Sequence, residues 1–396
     1  MPVLDLSVNV HFLESVHVLR RLLDDFQQAN DCSVALRVVP GNAAWRTQAY
    51  YALHGRGADV SEVGSTWISG LAMRETLRTF SPADISALGG REAFFSSLWQ
   101  PSTFGQAQLP SIPFLGDVRL IFYWRDMLSR AGVDEQGAFA SQDQVHETFH
   151  KLGRIHRAPW AVQTLSDTHD IVYASCSWVW GAGGNFIDSA SRRTVFNEPA
   201  ARRGLRAYFS LHPFFPTGMQ PLNIHQLADI FCQRRVAAIL SGPWVLNYLA
   251  RNLDEDLFSQ IGVALPPGPA FVGGSQLVVW QHTAYEESAV ALVKYLLTPD
   301  VQRQLNLLTG MLPVLRSVAA TEVFMRATPH HVLLLDALEH GCNPALLPGW
   351  GLLEEYLATA FGQIWGELLE NPRKDVDAVL DKILNPLAVY LDRVFT

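Results

Sequence analysis

The opening forty residues limit the fold more than any other stretch. Leu4, Leu6, Val8, Val10 and Phe12 alternate with Asp5, Ser7, Asn9 and His11, a two-residue period that belongs to a strand. The period then changes, and Val16, Leu19, Leu23 and Phe26 follow helical spacing until about Asn30. A second strand is predicted over 33–39, a helix near 45–54 and a short strand over 58–63. Strand, helix, strand, helix, strand reads as a right-handed parallel α/β unit.

A second α/β region opens with a strand over 118–123. Ser141 then caps a helix, with Gln144 completing an S-x-x-Q box. Helices follow near 169–180, 199–211 and 223–234, with a strand over 236–240. After the turn Pro266-Pro267-Gly268-Pro269, a strand at 277–280 leads into a helix over 284–297. From about residue 317 the chain is almost wholly helical, one face carrying Val376, Val379, Ile383 and Leu387. The length of 396 residues suits two domains or one large α/β unit.

Composition narrows the classes of function. Hydrophobic residues make up 48% and charged residues 17%, enough for a sizeable core and too few charges for a disordered chain. The net charge of −8 argues against nucleic acid or an anionic membrane surface as the main partner. Charged residues or glycines interrupt every apolar run before the length of about 18 residues that a membrane span needs. Cys32, Cys176, Cys232 and Cys342 are widely spaced, without a CxxC pair, and read as buried or free thiols. The N-terminus carries no signal-peptide pattern, so the chain is expected to be cytoplasmic or a mature exported form.

One catalytic motif is complete. His146-Glu147-Thr148-Phe149-His150-Lys151-Leu152-Gly153-Arg154-Ile155-His156 spells HExxHxxGxxH, in which two histidines four apart share a helix face and a third follows a glycine turn. Its surroundings oppose a zinc enzyme. Gln142, Asp143, Gln144, Lys151, Arg154 and Arg157 flank it, and Val145, Phe149 and Leu152 form the apolar stripe of an amphipathic surface helix. A zinc metallohydrolase therefore stays the alternative reading, with no metal or cofactor expected. Gly181-Ala182-Gly183-Gly184-Asn185-Phe186 begins like a dinucleotide loop but places Phe186 where the last glycine belongs. Neither GxSxG nor a P-loop occurs, and the pairs Asp24-Asp25, Asp254-Glu255 and Glu286-Glu287 read as solvated charge.

Six ordered segments carry a resemblance. They are Ala58–Trp67 (ADVSEVGSTW), Gly116–Leu128 (GDVRLIFYWRDML), Trp178–Gly184 (WVWGAGG), Phe231–Trp244 with Ser241-Gly242-Pro243-Trp244, Phe271–Ser275 (FVGGS), and Leu297–Gln302 (LTPDVQ). In them the chain resembles the family 1 extracellular solute-binding proteins of ABC importers, the maltose-binding-protein type, over nearly its whole length. Two departures stand out: Pro313-Val314-Leu315-Arg316 shifts an arginine by one, and no export signal is visible.

The resemblance implies an α/β, two-lobed periplasmic-binding-protein fold (type II), with a hinge and a helical C-terminal tail. Residues 1–116 and 273–318 would form the N-terminal lobe, and 117–272 and 319–396 the C-terminal lobe. It further implies a non-enzymatic, monomeric protein, periplasmic or extracellular and in some forms lipid-anchored. Such a protein would hold a mono- to oligosaccharide in an interlobe cleft and pass it to permease subunits of an ABC importer.

The aromatic content, with 11 Trp, suits a sugar, whose axial C–H face stacks on an indole while its hydroxyl rim needs polar partners. Trp45, Trp67, Trp180, Trp244 and Trp350 are candidate stackers, whereas Trp178 and Trp280 read as structural. Asp117 and Arg119, at the first crossing between lobes, would chelate hydroxyls or pair with each other. Glu14, just past the first strand, sits where the resemblance implies a ligand-binding polar residue, and His11, on the polar face of that strand, is a further ligand-binding candidate. Gly273, Gly274 and Ser275 would offer backbone N–H groups, with Gln276 a lesser candidate. An amino-sugar or glycerophosphoryl ligand would instead want a carboxylate or a basic cluster.

Overall fold

The computed structural model describes residues 2–9, 13–103, 109–188, 193–328, 330–344 and 349–395. Its strands, in chain order, are β1 (Val3–Asn9), β2 (Ser33–Val39), β3 (Val60–Gly64), β4 (Ile112–Val118), β5 (Leu120–Trp124), β6 (Trp160–Ala161), β7 (Ile187–Asp188), β8 (Arg193–Thr194), β9 (Ala238–Ser241), β10 (Ile261–Ala264) and β11 (Val272–Val279). The chain divides into two compact units, one of residues 1–118, 272–339 and 346–351, the other of 119–271, 340–345 and 352–396. The sequence reading had placed 319–339 in the C-terminal lobe; the structure groups it with the first unit. There Arg316 and Glu339 form an ion pair at 3.0 Å, and Leu338 accepts a hydrogen bond from Ser97.

The first unit is built on a five-stranded sheet of order β2-β1-β3-β11-β4. β1 runs parallel to β2 and β3, and β11 returns antiparallel between β3 and β4. Alternation assigned Ser7 to a polar face, yet it is buried, because β1 is an inner strand covered on both sides. Burial leaves a hydroxyl needing a partner. Ser7 Oγ lies 2.6 Å from Ser61 Oγ, which also accepts the indole N–H of Trp280 at 2.7 Å. Leu4, Leu6, Phe26, Val60, Ile112 and Val278 fill the core around this polar thread.

The second unit has a four-stranded sheet of order β10-β5-β9-β6. Its core includes Phe122, Trp124, Phe149, Trp160, Trp178, Tyr208 and Trp365. The single strand expected over 118–123 is two strands broken at Arg119, because Val118 pairs with Val272 in one sheet and Leu120 with Ser241 in the other. Of the box expected at Ser141, the side chain accepts the Gln144 N–H at 3.2 Å. The last two long helices are Trp350–Glu370 and Val376–Phe395. Among the described residues no helix is long and apolar enough to cross a membrane.

Gly274 fixes how β11 enters the first sheet. Its φ is +121°, and a Cβ there would lie 2.0 Å from the Leu115 carbonyl oxygen. The requirement comes from strand pairing, next to the register shift between Ser275 and Gln276. Gly274→Ala therefore combines a disfavoured backbone with a backbone clash, and should lower unfolding free energy by about 3 kcal/mol in chemical denaturation.

Candidate functional site

In open α/β sheets, ligands gather at the carboxyl ends of the strands. In the first unit that edge holds the ends of β1, β3 and β4 and the start of β11, since Ser275 pairs with Gly64 and Val272 with Val118. Trp67, Asp117, Gly273, Gly274 and Ser275 all lie along it. Trp67 follows β3 in the single turn Ser65–Trp67, its ring 5.5 Å from that of Trp45. Trp67 is 7% exposed and Trp45 is half-buried. Gly351 brings the start of the Trp350 helix to the same place, as a Cβ on it would meet the Trp45 ring at 2.8 Å.

Two candidates on this unit are corrected. Trp350 is 0% exposed, so it presents no face to a solute. Gln276 is spent inside: its Oε1 accepts from Ser102 at 2.9 Å and Ser111 at 3.2 Å, and its Nε2 donates to the Leu98 carbonyl at 3.0 Å. Ser275 differs, for its buried Oγ has no hydrogen-bond partner among the described residues. Asp117 is buried in register with Gly273. His11 lies outside the described residues; Glu14 belongs to the helix Leu13–Ala29, but its side chain lies outside them. Sequence reasoning passed over Glu62, a buried carboxylate near the end of β3 that accepts the Asn9 N–H at 2.9 Å. Its signal was an acid set inside a strand motif.

The corresponding edge of the second unit carries a polar network. Arg119, at the start of β5, pairs with Asp170, the first residue of the helix Asp170–Gly181, where a negative charge also meets the helix N-terminus. Thr168 Oγ1 donates to the other Asp170 oxygen at 2.7 Å. Gln163 Nε2 faces Thr168 Oγ1 at 3.0 Å, Asp167 Oδ1 at 3.2 Å and the Leu165 carbonyl at 2.9 Å. Arg119 is thus tied to Asp170 rather than standing as an uncommitted chelator. Trp244, 6% exposed, opens the helix that follows β9, and its ring centroid lies 6.3 Å from that of His225. Burial raises the Asp167 carboxyl pKa, as does the charge of Asp170, while His225 pulls it down.

Trp180 is not part of this cluster. It sits ten residues beyond Asp170 on one helix, about 15 Å along the axis. Gln163, Asp167, Thr168, Asp170 and His225 escaped the sequence reading because apolar spacing carries no information about a polar loop. The signal was the run Thr164–Asp170, wedged between a strand and a helix.

His169 projects from the same loop. Its Nε2 lies 3.1 Å from Glu355 and its Nδ1 3.8 Å from the fully buried Glu354. Burial alone would lower the imidazole pKa, but the hydrogen bond to Glu355 and the charges of Glu354, Glu355 and Asp170 hold it above the ordinary value.

The HExxHxxGxxH segment is an amphipathic helix, Gln142–Leu152, with Val145, Thr148, Phe149 and Leu152 buried. Its three histidines do not converge. His156 Nδ1 accepts the Ala158 N–H at 3.2 Å, so Nε2 carries the proton toward the Arg234 carbonyl at 3.3 Å. Glu147 is paired with Lys151 at 2.8 Å. Among the described residues, no three His, Cys, Asp or Glu side chains are grouped to hold a metal.

Two outcomes follow. Arg119→Met leaves Asp170 as an uncompensated, largely buried carboxylate and should destabilise the second unit by about 3 kcal/mol in denaturant unfolding. Because the folded pKa of His169 is raised, its contribution to stability is complete below pH 6.5 and fades as pH rises through the folded value. His169→Gln should remove that slope from stability measured across this range.

The model of the family described as bacterial extracellular solute-binding protein matches residues 16–303. A relative from Sinorhizobium fredii, described as a "Probable amino-acid ABC transporter periplasmic-binding protein", is 20% identical over 60% of this chain; the match spans 55% of that relative's length. The maltose-bound MalE3 structure of T. maritima is similar at a TM-score of 0.82 and 20% identity, covering 98% of this chain and 100% of that one. An ABC transporter solute-binding protein of Agrobacterium radiobacter, solved with ribitol, reaches 0.82 at 14% identity, covering 99% and 98%. At such identities the structures establish the two-lobed α/β fold, and the extent of the family match settles membership: the chain belongs to the bacterial extracellular solute-binding protein family.

Proposed function

We propose that the protein is the substrate-binding component of an ABC importer. In this reading it holds a carbohydrate, from monosaccharide to oligosaccharide, and hands it unchanged to a membrane permease. The observation that carries this reading is the grouping of Trp244, His225 and Asp167 at the carboxyl edge of the second sheet. An indole offers a stacking plate, while an imidazole and a half-buried carboxylate offer partners for hydroxyls. In the first unit, Trp45 and Trp67 pair beside Ser275, whose buried hydroxyl has no partner among the described residues. Asp117, Gly273 and Gly274 complete that proposed surface.

The Sinorhizobium relative's name raises an amino acid as the rival ligand. An α-carboxylate calls for a cation, and the guanidinium at the second edge is already engaged with Asp170. That favours a neutral polyhydroxylated solute. The protein would work outside the cytoplasmic membrane, as a monomer, with or without a lipid anchor. Nothing in the reading requires chemistry on the ligand, and the engaged nitrogens of His156 weigh against the zinc-hydrolase alternative.

Isothermal titration against a panel of monosaccharides, oligosaccharides, polyols and amino acids tests the reading. A sugar or polyol should bind at one site per chain and alter tryptophan fluorescence. Trp244→Ala should weaken it tenfold or more, an effect of about 1.4 kcal/mol or more, with circular dichroism unchanged. Binding of amino acids alone, or of nothing in the panel, would overturn the proposal.

A further inference from the structure

The metalloprotease-like motif retains one piece of chemistry after its catalytic reading falls away. His146 and His150 are four residues apart on the helix Gln142–Leu152, and both are exposed. That spacing sets their Cβ atoms about 5–6 Å apart on one helix face. The His146 ring stands across that of Phe214, centroids 5.2 Å apart and planes at 74°, a contact that limits how the imidazole turns. His150 has no hydrogen bond or ion pair among the described residues. The helix rests on Val145, Thr148, Phe149 and Leu152, all buried, so the scaffold beneath the pair is fixed.

We propose that His146 and His150 form a two-histidine clamp for a borderline divalent transition metal such as Zn²⁺, Ni²⁺ or Cu²⁺. Neutral imidazole is the ligand these ions prefer, at about 2.0–2.1 Å for zinc. Water fills the remaining positions, since no third His, Cys, Asp or Glu is grouped with the pair among the described residues. His156 takes no part, because both its nitrogens face backbone groups. Glu147 is held by Lys151 and does not act as a base. The site is separate from the proposed carbohydrate surface. The segment after the helix runs into the beginning of β6, so the motif's end lies at the amino edge of the second sheet. The polar network lies at the carboxyl edge.

Metal titration of the tag-free protein with ZnCl₂ and CuCl₂ decides between this clamp and a three-histidine site. Wild-type protein should bind one ion more than His146→Ala/His150→Ala, and His150→Ala alone should weaken that ion more than about tenfold. His156→Gln should leave it unchanged. A second readout stands independently of variant folding. Added Cu²⁺ should broaden the imidazole NMR signals of His146 and His150 while sparing His156. Equal binding by wild type and the double variant, or parallel broadening of all three histidines, would overturn the proposal.

Discussion

The fold depends on how the chain leaves its first sheet and comes back. β4 ends at Val118 and β11 begins at Val272, and these two residues pair in the first unit. One residue further on, the Arg119 N–H donates to the Phe271 carbonyl at 3.0 Å within the second unit. The outgoing and returning segments are therefore hydrogen-bonded neighbours. This arrangement needs a strand that can lie against β4 with no side chain in the way, which Gly274 supplies beneath the Leu115 carbonyl. It also puts Asp117, Arg119, Gly274 and Ser275 at strand ends by covalent necessity, before any ligand is considered.

The parts of this design that repeat were legible in the sequence. β1, its following helix and β2 announced themselves through a clean change of period from two to 3.6. The same alternation misjudged Ser7, because it presumes one solvated face, while an inner parallel strand has none. The strand expected over 118–123 was real apolar material, but local pattern cannot show that Arg119 divides it between two sheets. β6, of two residues, was too short to produce a period at all. The fate of 319–339 turned on tertiary partners such as Glu339 with Arg316, which helical periodicity does not encode.

Site residues divided along the same line. Trp67 and Trp244 were proposed because they follow strands directly, and both do lie at strand ends. Trp350 is sealed in the core, and Trp180 lies a helix length away from Asp170. The loop Gln163–Asp170 was missed, since its meaning lies in hydrogen bonds among its own polar groups and to Arg119. The zinc signature, which its polar surroundings already opposed, has the right residues at the right spacing but a third histidine committed to the backbone. Spacing proposes a constellation, and only the direction of the lone pairs decides whether it forms.

The central claim is that a polyhydroxylated guest rests against these indoles and acceptors. Native mass spectrometry of the protein as purified, then after incubation with a mixed pool of sugars and amino acids, tests it most directly. The account predicts a single adduct whose released mass is that of a sugar or polyol, displaced by excess of the same compound and weakened when Trp244 is replaced by alanine. A bare protein under every condition, or an adduct with the mass of an amino acid, would contradict it.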